Sequence, residues 1–458
     1  MKFSRTNRAA RLLLLAWVAC LAVVAAQAIV LENQVVVVVN ANGADSIAIG
    51  GFYTNLHPRA RLVAIKTTTA DSIQRPSFVS EIRDPIRNYL NSTPGLAAQI
   101  VSIVTTRGIP YQLSDPAGTG GNHTGFNQGL ASVASVDAEL TLLWQNMVAG
   151  NSFSNAYPAN NIVFNPYFGT PSAISSFSRA NIQVQKNWST IVKGDKALVF
   201  ESPGTPFNGK NAFGFSTRNT EPVANQLTKG DFYLVTRLSG YSVTDVTNSI
   251  ARSVNIEFRK KSDVIVLDGT PSGFDTAAYN LRGTVVYDNA RKILSAAGFL
   301  VAYDRTDTAI TSLPNGQRLL SYSSSGIHSA PGNPLCNNPQ YINKVLRFNY
   351  AAGAVFNTYE SSNGSEFNNP AHANQGMVAD FIHQGGTLGF GHVGEPFTIA
   401  MANEDYYLSN LLLNGLTWAE AAYSALPFLS WQNIVIGNPL TRFTITASNN
   451  PPAPTSRP

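Results

Sequence analysis

The residues able to do nucleophilic or acid–base chemistry fall in a few short stretches. Cys336, in Pro334-Leu335-Cys336-Asn337, is the single thiol after residue 28. A nucleophilic cysteine needs an activating base and usually a strand or helix terminus, so this loop setting reads first as a lone cysteine. His328, in Tyr322-Ser323-Ser324-Ser325-Gly326-Ile327-His328, reads as a general base or as a plain loop histidine. His392 and Glu395 share Gly391-His392-Val393-Gly394-Glu395-Pro396, a Gly-rich loop able to bind a polar ligand or to serve only as a turn. Ser361 and Ser362 lack a Gly-x-Ser-x-Gly elbow and would need a His and a carboxylate in reach. Asp137 and Glu139 lie near a helix start, where favouring the helix dipole competes with a glycosidase-like acid and base. Asn40-Ala41-Asn42-Gly43 is turn chemistry ahead of a helix, a place that can cradle an anion. No GxGxxG or GxxxxGK pattern accompanies this turn, which argues against a nucleotide there. It has no CxxC or HExxH either, so neither a metal nor a cofactor is expected.

The elements that must position these residues alternate. Val35 to Val39 is apolar, β-branched and without alternation, as suits a strand buried on both faces of a parallel sheet. Further strands are expected over Arg61–Lys66, Ile100–Thr105, Phe232–Leu238, Asp263–Asp268 and Phe299–Tyr303. The later ones are Leu319–Tyr322, Ala354–Asn357, Thr387–Phe390 and Asn433–Ile436. Helices are expected over Asp45–Leu56, through Phe78, Ile82, Ile86 and Tyr89, after Ser242 as N-cap, and over Ala277–Ala297. Another follows the capping box Thr417-Trp418-Ala419-Glu420. Strands alternating with helices mean an α/β fold with mainly parallel sheets and right-handed crossovers. Stretches 111–125 and 146–225 are rich in Gly, Asn, Ser and Pro and read as loops or an insertion. The expected division is 29–225 as a first α/β subdomain with a loop-rich insertion, 226–447 as a second, and 448–458 as a disordered Pro-rich tail.

Residues 1–28 read as a signal peptide: Lys2, Arg5, Arg8 and Arg11, an apolar run from Leu12, then Ala26-Gln27-Ala28. The apolar run is shorter than the ~20 residues of a bilayer span. An exported chain beginning at Ile29 and lacking a transmembrane anchor is therefore expected. Four of the 32 Lys and Arg residues lie in that leader, which leaves 28 against 27 Asp and Glu. The basic balance is thus mostly the leader, and no Lys/Arg cluster suited to nucleic acid is visible.

The order of elements resembles the gingipain-type cysteine peptidases, whose catalytic region has two caspase-like subdomains. The likeness is carried by Tyr233-Leu234-Val235-Thr236-Arg237-Leu238 with the helix after Ser242, and by Val264-Ile265-Val266-Leu267-Asp268 with Ala297-Gly298-Phe299. Gly385-Gly386-Thr387-Leu388-Gly389 and Ile436-Gly437-Asn438-Pro439-Leu440 add to it. Arg107-Gly108-Ile109-Pro110, Ser135-Val136-Asp137-Ala138-Glu139-Leu140 and Asn165-Pro166-Tyr167 are similar to an uncharacterised exported bacterial family. The resemblance implies two caspase-like or flavodoxin-like subdomains. It also implies a His in a turn after one strand and a nucleophilic Cys ending the next. Here His328 is displaced within its turn, and Thr358, Glu360 or Ser361 stands where the Cys is expected. The resemblance therefore implies a non-catalytic peptidase relative that binds a peptide or a glycan. The alternative is a hydrolase using other residues in the same place. Since open parallel sheets bind ligands beyond the carboxyl ends of strands, His328, Thr358, Glu360, His392 and Glu395 are expected to line one polar cleft.

Overall fold

A computed structural model describes residues 30–114, 134–145, 163–186, 196–198, 215–217, 227–269, 286–306, 308–326, 338–373, 375–394, 396 and 400–446. The leader, His328, Cys336, Glu395, the first part of the Ala277–Ala297 helix and the tail lie outside them.

Among the described residues, ten strands form one central sheet. In chain order they are β1 (Val35–Asn40), β2 (Arg61–Ile65), β3 (Ser102–Thr106), β4 (Leu234–Leu238) and β5 (Asp263–Asp268). Then come β6 (Leu300–Asp304), β7 (Arg318–Ser324), β8 (Tyr350–Thr358), β9 (Leu388–His392) and β10 (Asn433–Ile436). Each coincides with an apolar run expected to be a strand. The reason is visible in β1: Val35, Val37 and Val39 enter one hydrophobic core, while Val36 and Val38 enter the core on the opposite face. A strand with a core on each side has no polar face to alternate with. Each of these buried valines stabilises the fold by roughly 1.5–3 kcal/mol.

The spatial order is β6-β5-β7-β8-β9-β10-β4-β3-β1-β2. Strands β2, β1, β3 and β4 are mutually parallel. So are β6, β5, β7, β8 and β9. The last strand, β10, joins the two sets: it runs antiparallel to β9 and parallel to β4. The two sets therefore run in opposite senses, and their carboxyl ends lie on opposite edges of the sheet.

Helices cover both faces. α1 (Ala44–Leu56) follows β1, and α2 (Asp84–Asn91) follows β2. A π-helical turn, Phe78–Arg83, leads into α2, where a plain α-helix is the expectation from the spacing of Phe78, Ile82 and Ile86. Pro85 sits at the start of α2 and has no N–H to donate, which loosens the preceding turn. α3 (Val136–Thr141) lies on β4, and α4 (Val243–Arg252) begins at Ser242, whose hydroxyl accepts from the Asp245 N–H at 3.1 Å. α5 (Tyr287–Ala296), α6 (Val378–His383), α7 (Glu404–Leu412) and α8 (Trp418–Ala425) complete the layers. Thr417 and Glu420 form the capping box of α8. The result is an α/β fold with a large, mainly parallel central sheet flanked by helices. No helix among the described residues is long and apolar enough to cross a membrane.

Candidate functional site

Strands β7, β8 and β9 are neighbours and parallel, so the chain leaves all three at the same edge. Thr358 is the last residue of β8, and His392 the last of β9. Glu360 follows Thr358 by two residues and is buried, as are Thr358 and His392. The Thr358 hydroxyl donates to Glu360 Oε2 at 2.6 Å, and the Gly376 N–H donates to Oε1 at 2.8 Å. Both carboxyl oxygens are thus met by donors, which is what permits a carboxylate to be buried.

Asn363 couples this carboxyl to β9. Its Nδ2 donates to Thr358 Oγ1 at 3.0 Å, and its Oδ1 accepts from the His392 N–H at 2.9 Å. The His392 ring places Nδ1 at 3.0 Å from the Glu360 carbonyl and 3.2 Å from Asn363 Oδ1. Both neighbours are acceptors, so Nδ1 carries a proton toward them. The turn after β7 closes over the same carboxyl. Gly326 has φ +60°, and a Cβ there would stand 2.1 Å from Glu360 Cδ, so only glycine fits. Thr358, Glu360 and His392 thus share one hydrogen-bonded cluster, and His328 and Glu395 lie outside the described residues.

The same edge continues to β5, where Asp268 pairs in register with Ser324 of β7. Burial, reinforced by Asp304, pushes the Asp268 carboxyl up to about 7, although the Ile310 N–H opposes the rise. On the far side of the Glu360 loop, His372 Nε2 stands 2.9 Å from Asp380 Oδ2, with both side chains buried. Asp380 also accepts from Tyr241 Oη at 2.8 Å and Asn343 Nδ2 at 2.5 Å. Burial, then Asp380, pushes the Tyr241 hydroxyl well above the usual phenol range.

Asn363, Gly376, His372 and Asp380 are absent from the expected site. Asn363-Gly364 is a turn pair that could have been flagged, but the His372–Asp380 spacing matches no motif. Asp137 and Glu139 are both buried in ion pairs. Asp137 is bonded bidentately by Arg237, and Glu139 is paired with Arg75 at 3.2 Å and accepts from Ser430 at 2.7 Å. Asn40 is likewise committed to local structure, donating to Thr67, Thr68 and Gly108 carbonyls. Ser362 is tied through its N–H to the Gly394 carbonyl at 2.8 Å, which fastens the loop after β8 to the one after β9.

No family model matches the chain, and no curated protein or solved structure matches it.

Proposed function

We propose that the protein is an exported, non-catalytic relative of the caspase-like peptidases, which binds a peptide or a glycan at the carboxyl edge of β7, β8 and β9. One observation carries the reading. Thr358, Glu360 or Ser361 stands where the resemblance expects a thiolate, and Glu360 among them is a buried carboxyl whose two oxygens accept from Thr358 and Gly376. A carboxylate held by donors is a weak nucleophile, yet it organises three loops at an edge where parallel sheets receive ligands. His392 and Asn363 extend the organisation from β8 to β9.

The experiment is an assay of the exported chain on Arg- and Lys-directed peptide substrates, with and without thiol alkylation, beside binding screens on peptide and glycan arrays. The expectation is binding without turnover, and binding that alkylation leaves unchanged. Turnover that disappears in Cys336→Ala would overturn the reading. Turnover that survives alkylation and Cys336→Ala but falls in Glu360→Gln would replace it with a carboxylate-dependent hydrolase.

A further inference from the structure

The other parallel set carries a cleft of its own. In the order β2-β1-β3-β4 the chain leaves β1 toward β2 on one side and returns to β3 on the other. The gap between the ends of β1 and β3 is therefore a topological switch point, the place where open α/β sheets leave a crevice for ligands. A cavity of about 370 Å³ opens there. It is lined by Gly43 to Asp45 after β1, by Thr69 to Asp71 after β2, and by Arg107 to Ile109 after β3. Asn368 closes it from the long loop after β8.

The polar groups on its wall are of a particular kind. Arg107 is fixed at three points: Nε donates to Asp45 Oδ2 at 3.0 Å, and Nη1 donates to the Gly240 and Phe367 carbonyls at 2.7 Å each. Among the described residues its Nη2 has no hydrogen-bond partner, and Arg107 lines the cavity. Asp71 accepts from Asn368 Nδ2 at 2.9 Å and has no cation paired with it among the described residues. Deeper in, Arg237 is neutralised by Asp137 at 2.7 Å. The wall thus offers a rigid donor, Arg107, and an acceptor, Asp71, held apart by different loops.

Charge then selects the ligand. An anion such as phosphate would find Arg107 already paired and would face Asp45 and Asp71. An ammonium would be drawn to Asp71 but repelled by Arg107, and it has no lone pair for Nη2. A hydroxyl donates and accepts at one atom, so neighbouring hydroxyls on one ring satisfy both walls without bringing charge into the cleft. The volume stands at the small end of ligand pockets, which fits one or two sugar rings. We infer that the switch-point cleft is a binding site for a neutral saccharide, with Asp71 and Arg107 as its hydrogen-bonding walls. The inference does not rest on the reading above: the cleft opens at the carboxyl ends of β1 and β3, at the opposite edge of the sheet from Glu360 and His392, and only Phe367 and Asn368 reach it from the loop that carries Glu360.

The test is ligand-observed NMR and calorimetry on the full chain with a panel of glucose, galactose, mannose and N-acetylglucosamine. Glycine and inorganic phosphate serve as charged controls. At least one sugar should bind, and Asp71→Ala should weaken it by about tenfold or more. Ala44→Trp, at an exposed position on the rim, should block it by filling the opening. Sugar binding lost in Glu360→Gln but kept in both Asp71→Ala and Ala44→Trp would place the sugar at the other edge and overturn the inference. The inference is overturned if no sugar binds, or if binding is indifferent to both Asp71→Ala and Ala44→Trp in chains shown to be folded by near-UV circular dichroism. It is equally overturned if glycine or phosphate binds in place of the sugars.

Discussion

Arg237 and Asp137 form a bidentate pair in the interior, Nε to Oδ2 at 2.8 Å and Nη2 to Oδ1 at 2.7 Å, with side chains 1% and 2% exposed. The guanidinium also donates to the Ile109 and Pro110 carbonyls, so one buried charge fastens α3, β4 and the segment after β3. Removing one partner of such a pair leaves the other charge buried and uncompensated. Asp137→Ala should therefore cost about 3–5 kcal/mol, read as a lower denaturant midpoint with unchanged slope. A loss below about 1 kcal/mol would mean that water replaces the carboxylate.

Asp268 makes stability depend on pH. Its folded carboxyl titrates near 7, above the ordinary value of 3.8, because burial disfavours the anion. The folded state holds this proton more tightly than the unfolded state. Its contribution is complete below pH about 4 and is lost as pH rises through about 7, on the order of 2–4 kcal/mol. Asp268→Asn should remove that slope, so the difference between wild-type and variant melting temperatures should change between pH 4 and 7. Parallel curves for the two proteins across this window would contradict the assignment.

Gly326 and Glu360 make a steric prediction. A methyl at position 326 meets the Glu360 carboxyl and a φ of +60° at once. Gly326→Ala should destabilise by about 1–3 kcal/mol, and the loss should shrink when Glu360→Ala is added, since the clash then has no partner. Strict additivity of the two losses would show that the loop moves away instead.

The capping box of α8 offers a fourth measurement. Thr417 Oγ1 and the Thr417 N–H both donate to Glu420 Oε2, at 2.8 and 3.0 Å, while Oε1 accepts from the Ile174 N–H at 3.0 Å. Thr417→Ala should cost about 1 kcal/mol. Glu420→Ala should cost more, because it also strips the Ile174 N–H of its acceptor inside the protein. Thermal or urea unfolding of the two variants decides the order.

Much of this architecture is legible in single runs of residues. Asp263–Asp268 and Asn433–Ile436 are strands with the bounds their apolar runs suggest, and Ser242 and Thr417 cap the helices they introduce. These features are local: a strand buried on two faces needs an apolar run, and a helix start needs an oxygen for its first free N–H groups. Thr358, Glu360 and His392 could be brought to one edge on paper, because parallel neighbours leave the sheet on the same side. Asn363 could not, since its role depends on a turn that presents one side chain to two strands at once.

By itself the sequence determined where the ten sheet strands and the helices α1, α4 and α8 lie, that the sheet is mainly parallel, and that a carboxyl, Glu360, stands just past the end of β8; it gave no sign of α6 or α7. Tertiary structure alone decided that β10 enters between β9 and β4 and turns two parallel sets in opposite senses. It alone decided that Asp137 finds Arg237 across 100 residues of chain, and that Arg107 and Asp71 line one cleft. The physical reason is range. Periodicity and capping report on neighbours within a few residues, whereas partner choice between distant segments is settled by which burial and which ion pairs the whole chain can satisfy together.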